Sequence, residues 1–225
     1  MNTQEIKFHP SSLDVLMTNS RSKSDPLSAT TKSKLRELWI EREFGRSRQI
    51  RTPAINKGLL CEADALRLLH QTGYGTFTKN TKTFRNEGLI GTPDVVADSF
   101  GIDIKNSWDL WTFAEVDEAR VKKTYYYQML SYMILTGLKQ WHVYYCLVNT
   151  PEDIAESELY KLHFQYPELS EEEFREKFSN HFIFDDIDPQ KRVKKFTFEY
   201  SEGDALELME SRIPAWRAYL KGLSL

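Results

Sequence analysis

Gly91-Thr-Pro-Asp94-Val-Val-Ala-Asp-Ser-Phe-Gly-Ile-Asp103-Ile-Lys105 carries two apolar runs on either side of a turn signal, a pattern that predicts a β-hairpin. Side chains alternate along a strand, so Asp103 and Lys105 project from one face. If the hairpin loop has an even number of residues, Asp94 lies across from Asp103 or Lys105 on that face. An odd loop sends it to the other face unless a bulge restores it. Two carboxylates held side by side repel each other, and a hard divalent cation relieves the repulsion. An ammonium on the same face can stabilise hydroxide formed from a metal-bound water, or charge building on a phosphate. Its plainer role is an ion pair with the acids.

Upstream, Lys57 to Gln71 reads as one helix closed by Thr72-Gly73. Glu62 falls at i+3 from Leu59, i−4 from Leu66 and i−7 from Leu69, and so shares their stripe. A carboxylate on a core-facing stripe is expensive unless paired or bound to a cation, or unless it reaches water from an edge. Asp64 and Arg67 fall elsewhere on the helix and read as surface. Further upstream, residues 11–19 read as a short capped helix, Arg21-Ser-Lys23-Ser-Asp-Pro as a loop and Ser28 to Phe44 as a second helix.

Downstream of Gln71 the expected strands are Gly75–Thr78, Thr83–Ala97 and Gly101–Ser107, followed by a long helix over Arg120–Thr136 that stops at Gly137. Trp141 to Val148, aromatic and branched, reads as a buried strand. Pro151 to Gln190 is a charged, helical insertion, Val193 to Tyr200 a strand and Gly203 to Leu220 a terminal helix. The middle therefore runs helix, strands, helix, strand, an α/β arrangement with helices packed on one sheet.

The 225 residues suffice for a sizeable core. No apolar run approaches the roughly 18 residues of a membrane span, and Met1 to His9 has no signal-like apolar stretch. The two cysteines, Cys61 and Cys146, sit in apolar contexts, as buried thiols of a reducing compartment do. They are too few for an iron–sulfur or four-cysteine zinc site, and the five histidines lack paired ligand spacing. The expected location is cytoplasmic. Net charge is −3, but it is unevenly spread. Residues 1–57 hold 11 Lys and Arg against 6 Asp and Glu, while residues 151–190 hold 3 against 12. A chain of negative net charge can thus still offer phosphates a positive surface.

An acid on a preceding helix, then Gly-Thr-Pro-Asp94, then Asp103-Ile104-Lys105, resembles the core of the PD-(D/E)XK nucleases. Gln128-Met-Leu-Ser-Tyr132 is similar to the Gln-x-x-x-Tyr motif of the RecB-like branch. The likeness extends to the lambda exonuclease and YqaJ-like viral recombinase group through Ser11-Ser12, Arg21-Ser-Lys23, Lys57-Gly58 with Glu62, and the aromatic strand after Gln128. It covers roughly residues 8 to 150 and leaves the insertion unplaced. The glutamate commoner before the lysine in that group is here Asp103, whose shorter arm shifts the metal slightly.

The resemblance implies a restriction-endonuclease-like α/β core, a central mixed sheet flanked by helices, with N-terminal helices and a C-terminal helix. The chain would be one nuclease domain: an N-terminal part that binds DNA ends (1–56), a catalytic core (57–150), the charged insertion (151–190) and a closing strand and helix (191–225). Asp94 would bridge two magnesium ions, for which manganese can substitute. Asp103 and the Ile104 carbonyl would complete the first site and Glu62 the second. Lys105 would activate the attacking water and Gln128 hold the hydrogen-bond network. Tyr132 would pack behind Gln128 or touch DNA, and Ser12 and Arg21, with Lys23, would grip a phosphate. The implied activity is a 5′-to-3′ exonuclease on linear duplex DNA in phage-type recombination. The implied assembly is a homo-oligomer, such as a trimer, with a strand-annealing recombinase as partner. Rival readings are a PD-(D/E)XK endonuclease, a Cas4-like nuclease, or a non-catalytic DNA-binding or adaptor protein on the same fold.

Other residues carry weaker signals. Trp108, Trp111 and Phe113 suit base stacking or ordinary packing. Lys122 and Lys123 are exposed charges within reach of a phosphate backbone.

Overall fold

The computed structural model describes residues 6–22, 24–48 and 51–224. Lys23 of the expected phosphate-binding loop lies outside them.

The hairpin at Asp94 forms the edge of a four-stranded sheet. β3 (Val95–Val96) pairs antiparallel with β4 (Gly101–Asn106), β4 runs parallel to β5 (Gln140–Cys146), and β5 pairs antiparallel with β6 (Val193–Glu199). A separate ribbon joins β1 (Phe84–Arg85) to β2 (Ile90–Gly91). The expected run over Thr83–Ala97 is therefore three short strands. The stretch Gly75–Thr78 is not a strand: it runs as irregular backbone, and two residues further on Asn80 N–H donates to the Asp94 carbonyl at 2.7 Å.

Helices cover both faces of the sheet. On one, Ala65, Leu68 and Leu69 of α4 (Glu62–Gln71) pack on Val95, Ile102, Ile104, Tyr144 and Cys146. On the other, Val121, Met129, Leu130 and Met133 of α6 (Glu118–Thr136) pack on Val96, Trp141, Val143 and Phe198. The period-two alternation thus splits β4, with Ile102 and Ile104 facing α4 and Gly101, Asp103 and Lys105 facing α6. Gly101 pairs with Trp141, and a Cβ there would overlap the indole ring, so only glycine lets that ring lie across β4.

The predicted helix over Lys57–Gln71 is two helices, α3 (Pro53–Leu60) and α4, broken at Cys61. The break revises the stripe drawn through Glu62. Leu59 is 67% exposed, so Glu62 shares a buried face with residues of its own helix alone. Glu62 opens α4, where a carboxylate also suits the positive helix end.

The N-terminal part begins with a 3₁₀ turn, Pro10–Ser12, running into α1 (Leu13–Leu16). Phe8 pairs beside β2, with Ile90 N–H on its carbonyl at 3.1 Å, and this brings the turn against the sheet. Gly91 makes the approach possible: a Cβ there would stand 2.8 Å from Pro10 and 3.1 Å from Tyr132. α2 (Ala29–Phe44), capped by Ser28, buries Leu35 and Trp39 in a cluster with Leu13, Leu16, Trp216 and Leu220. Between β4 and α6 lies the short α5 (Leu110–Ala114). The insertion forms α7 (Glu152–His163) and α8 (Glu171–Phe178), which pack on each other through residues such as His163 and Phe174.

The terminal helix runs as α9 (Glu202–Leu206), a π segment (Glu207–Arg212) and α10 (Ile213–Lys221). Pro214 explains the π segment. It lacks an N–H for the Glu210 carbonyl and its ring crowds that carbonyl, so the ladder widens there. Cys61 and Cys146 are buried free thiols. Among the described residues no helix is long and apolar enough to cross a membrane.

Candidate active site

The hairpin loop between Val96 and Gly101 is Ala97–Phe100, an even number of residues. The register Val95↔Ile102 therefore sets Asp94 opposite Asp103. Asp94 is held by the neighbouring strand: Ile104 N–H donates to its Oδ2 at 2.7 Å. Asp103 is 3% exposed. Its Oδ1 accepts from Gln128 Nε2 at 3.0 Å, and its Oδ2 lies 2.8 Å from Lys105 Nζ. That buried Oδ2 has no directed hydrogen bond. Burial, and then the charge of Asp103, holds the Asp94 carboxyl well above the usual carboxylate range.

Lys105 stands over the ring of Tyr125, with Nζ 4.8 Å from its centre. Burial works against its ammonium, but Asp103, then Tyr125 and Asp94, more than offset this, and the pKa lies above the ordinary lysine value. Tyr125 is fixed in turn by the Tyr145 hydroxyl, which donates to its own at 2.9 Å. Glu62 approaches from the α4 side close enough to raise the Asp94 pKa, and is ion-paired with Lys79.

Asp14 also reaches this site, although it is not among the residues that the sequence reading assigned to it. It takes the Tyr127 N–H at 3.3 Å, and its pKa is raised to about 7, chiefly by burial and slightly by the charge of Asp103, against lowering pulls from the Tyr127 N–H and Lys105. The signal that could have found it is a carboxylate in the first turn of an apolar helix, Leu13-Asp14-Val15-Leu16.

Tyr132 is buried, its ring stacked on Trp141 with centroids 5.2 Å apart. It packs behind the site and offers no face to a base, which revises its expected contact with DNA. Trp108 is half-buried, edge-on to Phe182 at 5.2 Å, and Phe113 lies in a core cluster with Leu147 and Phe184. Trp111 is exposed beside His181. Ser12 is half-buried at the end of the 3₁₀ turn and Arg21 is exposed in the loop after α1. Lys122 is paired with Glu118 on the α6 surface.

Among the described residues no three His, Cys, Asp or Glu side chains form a ready-made metal-holding group. Two aspartates converge and the third acid is turned to a lysine. The donor set nonetheless suits a hard cation: it is made of carboxylates, the Asp94 pKa is raised by burial and then by the charge of Asp103, and Glu62 and Asp103 are each already paired with an ammonium that a cation could replace.

No family model and no curated protein matches the chain. Solved structures do. A phage-related exonuclease from Haemophilus somnus 129PT is similar at a TM-score of 0.75 and 24% identity, over 96% of this chain and 93% of that one. An alkaline exonuclease, LHK-Exo, from Laribacter hongkongensis is similar at a TM-score of 0.63 and 19% identity, over 96% and 88%. The complex of LHK-Exo with dAMP gives 0.59 and 18% over the same shares. The chain has the fold of these proteins: a mixed four-stranded sheet flanked by helices.

Proposed function

We propose that the protein is a metal-dependent deoxyribonuclease that degrades linear duplex DNA from its ends. The observation that carries this reading is Asp94 set opposite Asp103, with Lys105 on the same face and Gln128 bracing the pair. Similarity of fold to structures described as exonucleases supports the end-dependent form over an endonuclease.

Asp94, Asp103 and the main-chain carbonyl of Ile104 would hold one magnesium ion, and Glu62 with Asp94 a second. Glu62 must turn from Lys79 to do so. Bound there, the metal would acidify a water and offset charge on the scissile phosphate. The chain's own residues supply the rest. Gln128 fixes the Asp103 carboxylate, and Asp103 keeps Lys105 protonated beside the place where an anion forms. The Tyr125 ring restricts the ammonium from its other side. Ring assembly and pairing with a strand-annealing protein belong to the same reading and rest on the sequence resemblance.

Linear and covalently closed circular duplex DNA, incubated with the protein and magnesium, test the reading. Loss of the linear form alone is expected. Cutting of the circle would replace the exonuclease with an endonuclease, and no magnesium-dependent loss of either would leave a DNA-binding protein on a nuclease fold.

A further inference from the structure

Helix α3 inverts the usual rule of burial. Its apolar residues are out in solvent, Ile55 at 45%, Leu59 at 67% and Leu60 at 60% exposed, while its one buried residue is Lys57, at 0%. Burying a lysine is unfavourable without partners. Lys57 Nζ donates to the Trp108 carbonyl at 2.9 Å and lies 5.1 Å from the centre of the Phe184 ring and 6.0 Å from that of Trp108. Desolvation draws its pKa down to about 8. One residue on, the Gly58 carbonyl accepts from Asn106 Nδ2 at 3.3 Å.

These two bonds join α3 to the end of β4 and the turn that follows it. β4 carries Asp103 and Lys105. α3 leads, through the break at Cys61, into α4, whose first residue is Glu62. No apolar side chain of α3 is buried, so the polar ties at Lys57 and Gly58 anchor the helix to the sheet.

We infer that Lys57 is a positioning residue: its bond to the Trp108 carbonyl, with that of Gly58 to Asn106, sets where Glu62 stands relative to the Asp94–Asp103 pair. The inference rests on the metal-binding part of the proposed function. Lys57 touches neither metal nor DNA. It acts through Glu62, and truncating it lets α3 and the start of α4 drift from β4.

Manganese binding, followed by calorimetry without DNA, tests this with the full chain, Lys57→Met, Glu62→Ala and the double variant. Thermal melts identify which chains fold cooperatively. Lys57→Met is expected to lose about 10-fold in manganese affinity, as loss of a support behind a metal ligand does. The double variant should bind no more weakly than Glu62→Ala alone, because the tie acts through Glu62. Equal affinity of Lys57→Met and the unaltered chain would overturn the inference. So would losses that add in the double variant, which would mark Lys57 as a general scaffold residue. If Lys57→Met does not fold, Asn106→Ala, which cuts the other tie, must give the same non-additive loss. Failure of both to fold would also overturn it. An unaltered chain that takes up no manganese would instead remove the metal site, and the tie's role with it.

Discussion

Asp103 is the residue on which the site turns, because groups from α6, from β4 and from the segment leading into β3 meet at its carboxylate. Gln128 holds one oxygen and Lys105 the other, and Asp94 faces it across the hairpin. Removing the amide while keeping the bulk frees that carboxylate to rotate. Gln128→Leu is therefore expected to slow magnesium-dependent nucleotide release by about 10- to 100-fold with the fold intact. Undiminished release would show that the amide does not orient Asp103.

Away from the site, His142 of β5 is buried beside its register partner on β6, with its Nδ1 3.1 Å from Thr197 Oγ1. Burial, then Lys195, lowers its pKa from 6.5 to about 4. Below pH 6.5 the unfolded chain takes up a proton that the folded chain refuses until about pH 4, so stability is lost as pH falls through that window. Urea unfolding at pH 7 and pH 4.5 should show a smaller loss for His142→Gln than for the unaltered chain. An equal loss would mean that His142 is not held neutral.

The residues legible in the sequence are those close along the chain. Asp94, Asp103 and Lys105 lie in one hairpin, where pleat and loop parity alone fix their faces. Asp14, Lys79 and Tyr125 arrive from three other segments. Their meeting is a product of tertiary packing, which no local period encodes.

Among the elements, β4 depends on Gly101 as much as on its apolar residues. Gly101→Ala would drive a methyl group into Trp141, itself fully buried and stacked on Tyr132 behind Gln128. Overpacking of this kind costs about 1–3 kcal/mol, and urea unfolding would measure it. A variant as stable as the unaltered chain would show that the indole can move aside. The long helix α6 and the strand β5 are legible because their patterns run for several periods. The break at Cys61 is not, since the apolar run from Ile55 to Leu69 continues across it while Leu59 and Leu60 turn outward. Nor is the irregular course of Gly75–Thr78. Its branched and aromatic residues suit a strand, yet it joins no ladder, and the chain meets the Asp94 segment only at Asn80.

For the whole molecule, the N-terminal part and the Asp94–Asp103 hairpin meet although some 80 residues separate Asp14 from Asp94. Phe8 pairs beside β2, Pro10 fits against Gly91, and Asp14 then lies within electrostatic reach of Lys105. Phe8, Pro10 and Asp14 thus join the N-terminal part to the acidic pair, and the acidic insertion forms α7 and α8 and packs on the core through Phe182 and Phe184. A lysine- and arginine-rich N-terminal stretch can draw a phosphate backbone toward a half-buried Asp94 and a buried Asp103 that would otherwise repel it.

Cleavage of DNA at the Asp94–Asp103–Lys105 face is the proposed chemistry. It is tested most directly by magnesium-dependent release of nucleotides from linear duplex DNA, with Lys105→Ala and Asp94→Asn measured beside the unaltered chain at matched thermal stability. Release by the unaltered chain is expected, with a fall of at least about 100-fold in both variants, the scale on which positioned charges act in catalysis. Release that survives in either variant would contradict it, and would place the chemistry somewhere other than the Asp94–Asp103–Lys105 face.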